Sequence, residues 1–136
     1  MICPIVTSPF ILQIPSTNAT SDDKTIGENL KETLQAHAHE CVGMAANMIG
    51  VHKRIIAVQD GNTLRIMYNP EITSSSKPYQ TKEGCLSLTG IRKTTRYKTI
   101  KVRYINGQFE EKEETFNGFT AQIIQHEIDH CNGILI

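Results

Sequence analysis

A chain of 136 residues makes one domain, spanning residues 1–136, with room for a sizeable core. Its 14 basic and 14 acidic residues cancel, which gives no electrostatic ground for a nucleic-acid or anionic-membrane partner. No apolar run approaches a membrane span, and four scattered cysteines without a leader sequence point to a reduced, cytoplasmic chain. Residues 1–15 carry prolines at 4, 9 and 15 and predict an extended arm. Thr20 or Ser21 caps a helix, with Asp22 and Asp23 in its first turn where the helix dipole favours them. Ile26, Leu30 and Leu34 recur at four-residue spacing and carry this helix to Ala38 or Glu40. His37 and His39 do not share a face and read as exposed or capping histidines.

The segment Cys41–Gly50 breaks that pattern with the small residues Gly43, Ala45 and Ala46. It reads equally as a tight helix-to-strand connection or as a place of close backbone approach to a ligand. Residues 54–59 and 63–68 are β-rich and joined by an Asp60-Gly61-Asn62 turn. Asn69-Pro70 ends the second run, and residues 74–78 read as a loop. Lys98–Ile105 alternates, with Ile100, Val102 and Tyr104 on one face. Asn106-Gly107 predicts a type I′ hairpin, and Gln108–Phe116 returns as an outer strand whose glutamates face water. A last helix spans Asn117–Asn132, with Phe119, Ile123, Ile124 and Ile128 as core contacts and Gly133 as its stop. The expected fold is α+β: antiparallel sheets packed around a C-terminal metal-binding helix.

That last helix carries the chemistry. His126 and His130 lie one turn apart on one face, and both imidazoles can reach one metal ion. Glu127, beside the first of them, can act as a base on an activated water without binding the metal. A catalytic metal needs a third protein ligand and an open position. Cys131 and Asp129 point away around the helix, whereas Cys85 sits in a glycine-flanked loop and can approach from another element. The other readings of Cys85 are a nucleophilic thiol and a buried structural cysteine.

Three segments, in order and spacing, resemble the motifs of the peptide deformylases. The family pattern is G-x-G-Φ-A-A-x-Q (Φ apolar), then E-G-C-L-S, then Q-H-E-x-D-H. Here they read Cys41-Val-Gly-Met-Ala-Ala-Asn-Met48, Glu83-Gly-Cys-Leu-Ser87 and Gln125-His-Glu-Ile-Asp-His130. The resemblance implies one divalent metal held by Cys85, His126 and His130, typically Fe²⁺, with Zn²⁺, Ni²⁺ or Co²⁺ as substitutes. It implies Glu127 as general base and then acid in removing the formyl group from an N-formyl-methionyl peptide or nascent chain. The Leu86 N–H would face the developing oxyanion, and Gly43 and Met44 would border the peptide as if it were an added strand. Phe119 and Ile123 would line the methionine pocket, with Glu83, Arg96 and Asp129 behind the ligands as orienting groups. A monomer is expected.

The first motif departs from the family at two positions. Cys41 replaces a glycine, and Met48 replaces a glutamine whose amide would be a second oxyanion donor. Methionine has no donor, and losing one such donor typically costs about 10²–10³ in turnover. Reduced deformylation is therefore expected. The alternatives are a metallohydrolase of another N-acyl or amide substrate, a general zincin-type protease, disfavoured because such enzymes usually take a third histidine or a glutamate as ligand, and a binding protein that keeps the fold without turnover.

Overall fold

In the computed structural model, which describes residues 1–136, the first long helix starts at a reciprocal cap. The Thr20 hydroxyl accepts from the Asp22 N–H, and the Asp23 carboxylate accepts from the Thr20 N–H at 2.8 Å. A single 3-10 turn, Ser21–Asp23, leads into α2, Lys24–Ala36. The α-helix ends earlier than the sequence predicts, at the cap residue His37, whose ring lies 3.3 Å from Glu40. The arm before it is not wholly extended. Pro9–Leu12 form one helical turn, α1, because proline at the first helical position loses no hydrogen bond.

Five antiparallel strands follow, each beside its neighbour in sequence: β1 Gly43–Ala45, β2 Ile55–Asp60, β3 Thr63–Cys85, β4 Leu88–Ile105 and β5 Glu111–Asn117. The helix α3, Gly118–Cys131, closes the fold. Side chains alternate across the sheet. Ile56, Val58, Met67, Ile100, Val102 and Phe116 pack against Ala121, Ile123, Ile124 and Ile128 of α3. Ile55, Ala57 and Tyr68 face the other way, onto Leu12, Leu30 and Leu34. β2 is thus buried on both faces, which is why its sequence is a continuous apolar run.

Two strand predictions need correction. β3 does not end at Asn69-Pro70, and residues 74–78 are not a loop. The strand passes through register shifts at Tyr68/Glu71 and Ile72/Ser74, where Asn69 adopts φ +53° and Pro70 sits off the ladder. Its outer half pairs with β4 as a largely exposed ribbon, so it has no apolar face to mark it. The Asn106-Gly107 hairpin also differs. Its loop has five residues, 106–110, because the Asn106 side chain accepts from the N–H groups of Gln108 and Glu110, and Phe109 takes the positive φ. No helix is long and apolar enough to cross a membrane.

Candidate active site

The β3–β4 turn brings Cys85 to the end of its strand, opposite Leu88. The register shift between Gly84 and Cys85 bends this tip toward α3. Gln125 fixes the helix against β4, accepting from the Tyr97 N–H and donating to the Tyr97 carbonyl, both at 2.8 Å. From the other side, the Asn47 amide donates to the carbonyls of Leu12 and His130. The result is that Cys85 Sγ lies 3.3 Å from His130 Nε2, which lies 3.2 Å from His126 Nε2.

These three ligand atoms lie within 4.8 Å of one another, and no other group of three His, Cys, Asp or Glu side chains does so. A thiolate and two imidazole nitrogens that converge beside a cavity fit a divalent transition ion with one side left open. Burial opposes a charge on His126, but the hydrogen bonds it donates to Cys85 and Glu83 outweigh it and push its pKa up to about 10. Burial and the neighbouring His126 charge push His130 down to about 3.

Behind the rings is a charge-assisted network. Glu83 Oε1 accepts from His126 Nδ1 at 2.8 Å. The Arg96 guanidinium binds both Glu83 oxygens and reaches Asp129 at 2.6 Å. Burial alone would raise the Glu83 pKa, but bonds from His126, Arg96 and Gln122 hold it near 2, so it stays a carboxylate. Such a partner fixes both the tautomer and the tilt of a ligating ring. Gln122 is a member of this network that the sequence did not reveal. It donates to Glu83 at 2.8 Å, but nothing in a lone glutamine on a helix signals that contact.

Glu127 is 4% exposed, and its Oε1 has no hydrogen-bond partner. Burial raises its pKa to about 7, with the His126 charge pulling the other way. A carboxyl poised near neutrality can both take and return a proton. It lines a cavity of about 240 Å³ together with Cys41, Val42, Gly43 and Met48 on one wall, and Gly84, Cys85 and Leu86 on another. Phe119 and Ile123 complete it.

Two expectations for this cavity change. Met44 is fully buried and packs with Leu30 and Leu34 on the α2 side of the sheet, because strand alternation turns it away from its neighbour Gly43. Phe119 is no core contact of α3. It is 64% exposed at the cavity mouth, where the helix has only begun to meet the sheet.

The sequence model of the polypeptide deformylase family matches residues 4–136. The chain belongs to this family. A peptide deformylase of Clostridium beijerinckii is 52% identical over the whole of both chains. One from Pseudothermotoga lettingae is 37% identical over 92% of this chain and 74% of its own. Among solved structures, peptide deformylase from Thermotoga maritima superposes with a TM-score of 0.88 at 32% identity, covering 99% of this chain and 95% of that one. An Acinetobacter baumannii class I type b peptide deformylase bound to Met-Ala-Ser superposes equally well, at 29% identity over 99% and 97% of the two chains. The deformylase family is metal-dependent, and in this chain the clustered Cys85, His126 and His130 offer a possible metal site.

Within the deformylase frame, the first motif also shows where its two departures lead. Residues 46–49 form a 3-10 turn rather than an extended segment, ending at Gly50 with φ +86°. Met48 is 1% exposed, lines the cavity, and its Sδ accepts from the Ala45 N–H at 3.5 Å. The adjacent Asn47 amide is already committed to Leu12 and His130. Neither side chain offers a donor to the cavity.

Proposed function

We propose that this chain is a metal-dependent hydrolase that removes the N-formyl group from N-formyl-methionyl peptides of nascent proteins, at a rate lowered by Met48. The observation that carries the reading is the convergence of Cys85, His126 and His130, with Cys85, His126 and the buried, unpartnered Glu127 carboxylate lining one cavity. Cys85, His126 and His130 would hold one divalent ion, Fe²⁺ natively, and the same donors admit Zn²⁺, Ni²⁺ or Co²⁺. When bound, the ion would activate water and polarise the formyl carbonyl. Glu127 would hold the proton taken from that water and pass it to the departing amine nitrogen, leaving formate and a free N-terminus. The Leu86 N–H would stabilise the oxyanion alone. With Met48 in place of an amide, about 10²–10³ in turnover is at stake.

Ile123 and Phe119 supply apolar surface for the methionine side chain, and the free edge of β1 supplies backbone groups for the peptide. Glu83, Arg96 and Asp129 would keep the His126 ring in register with the ion. The protein would act as a cytoplasmic monomer of one domain. The Met-Ala-Ser complex of the Acinetobacter baumannii relative supports a peptide of this length as ligand.

Formate release from formyl-Met-Ala-Ser tests the proposal, using protein loaded with Fe²⁺ or Ni²⁺ without oxygen beside a Glu127→Ala control. Release that vanishes in the control is the expected result. No release from metal-loaded protein would end the deformylase reading.

A further inference from the structure

β1 lies at one edge of the sheet, with β2 as its only neighbour. The Gln59 N–H donates to the Val42 carbonyl at 2.8 Å, and Met44 stands opposite Ala57. Successive residues of a strand direct their backbone groups to opposite sides. Val42 and Met44 therefore address β2, and Gly43 and Ala45 address the open edge. Two contacts agree with this assignment. The Ala45 N–H reaches Met48 Sδ, and the Gly43 carbonyl accepts from the Cys41 thiol, with Sγ and O 2.8 Å apart.

Cys41 and Gly43 line the same cavity as Glu127, whose buried Oε1 has no partner in the protein and marks where a ligand's polar atoms belong. A Cβ on Gly43 would stand 2.5 Å from Ile123 and 2.9 Å from Glu127, so the β1 edge passes directly beside the carboxylate. A peptide extended along that edge needs acceptors for its N–H groups, and Gly43, which abuts Glu127, presents its carbonyl there.

We propose that Cys41 is an affinity-determining residue of the peptide site, its thiol competing with incoming peptide N–H groups for the Gly43 carbonyl. The inference rests on the deformylase reading for the kind of ligand, an extended peptide. It concerns binding rather than the chemical step. Burial, aided by the Glu127 charge, holds the Cys41 pKa up at about 12, so the group remains a protonated donor. The family pattern has glycine at this position, which would leave the carbonyl open to the ligand. A thiol is a weak donor and a carbonyl has two lone pairs, so the competition lowers affinity without closing the site.

The test compares Ni²⁺-loaded wild type, Cys41→Ala and Cys41→Ser. Two readouts are used: the Kd for the tripeptide Met-Ala-Ser by calorimetry, and KM and kcat for formyl-Met-Ala-Ser. Cys41→Ala is expected to tighten Kd and KM by about two- to fivefold, the scale of one weak hydrogen bond, with the change carried by KM rather than kcat. Cys41→Ser keeps a donor and is expected to bind no tighter than wild type. Unchanged or weaker binding by Cys41→Ala overturns the proposal, as does equal tightening by both variants, which would assign the effect to side-chain size. If wild type binds the tripeptide but releases no formate, the deformylase reading fails while the Kd series still decides the role of Cys41. Absence of any tripeptide binding overturns the proposal as well.

Discussion

The two walls of the cavity are built on different principles. The α3 wall is held by charge: Glu83 and Arg96 are both buried, every polar side-chain atom of these two residues has a partner, and His126 is oriented from behind. The β1 wall is held by backbone and small residues, and two of the side chains that line the cavity from it carry sulfur, Cys41 and Met48. A buried ion pair that loses one partner leaves an uncompensated charge, which strongly constrains substitution. A thioether or thiol in place of an amide or a hydrogen atom leaves no such charge. The two residues that differ from the motif pattern, Cys41 and Met48, fall on the second wall, where the fold accommodates them without an unpaired charge.

If this contrast is right, the α3 wall should respond to single changes by losing the metal or the chemistry outright. Cys85→Ala is expected to lower bound metal to a small fraction of one ion per chain by elemental analysis, and activity with it. Glu127→Gln is expected to keep the metal and lose about 10²–10⁴ in kcat, the usual worth of a general acid–base. A Cys85→Ala variant with full metal content would remove Cys85 from the donor set and break the comparison at its strongest point.

The β1 wall should respond in the opposite direction. Met48→Gln places an amide where the thioether now lies, and kcat for formyl-Met-Ala-Ser is expected to rise by about 10²-fold, within the range for one oxyanion donor. Bound metal should not change. No gain in kcat would mean that turnover is limited elsewhere, and the wall would then be compensated rather than depleted.

Between these lies the outer support of the metal donors. Glu83→Gln retains the size of the side chain but removes the charge that Arg96 and His126 share. Metal affinity is expected to fall by about 10- to 100-fold in competition with a chelator, with the Co²⁺ absorption spectrum altered as His126 loses its fixed tilt. An unchanged spectrum and affinity would show that Arg96 and Gln122 alone suffice to hold the site.

The unequal legibility of the two walls has the same physical origin. The His126–His130 spacing is local, since four residues on a helix share a face wherever the helix is placed. The glycine beside Cys85 reads as a loop, but Cys85 ends β3, and only packing reveals that it meets α3. The β1 wall depends on which way each residue of a short strand faces. One alternation step separates Gly43 in the cavity from Met44 in the opposite core, and sequence does not fix that phase. The outer half of β3 was illegible for another reason: polar on both faces, its serines and prolines resemble a loop until β4 supplies their partners. Gln122 and Gln125 act through single hydrogen bonds to distant elements, for which composition carries no mark.

The smallest expected effect concerns the layer behind the β1 wall. Gly27 of α2 faces the Tyr68 ring, and a Cβ there would lie 2.0 Å from the hydroxyl and 2.7 Å from the adjoining ring carbon. Tyr68 is 2% exposed and packs against Phe109 with ring centroids 4.7 Å apart, so it has little freedom to withdraw. Alanine in mid-helix is favoured over glycine by about 1 kcal/mol, whereas overpacking a filled core costs about 1–3 kcal/mol. Packing decides the sign here, because the contact is with a ring and not with a flexible chain end. Gly27→Ala is expected to lower stability by about 1–2 kcal/mol in denaturant melts, a fall in Tm of about 3–8 °C. Adding Tyr68→Phe removes the nearest atom and should recover part of that loss. Metal affinity should be indifferent to both, because the α3 wall is tied to β3 and β4 through Glu83, Arg96 and Gln125 and not through α2. A metal affinity that falls together with the Tm would instead show that the two walls share one mechanical support, and that the charge network alone does not hold the site in shape.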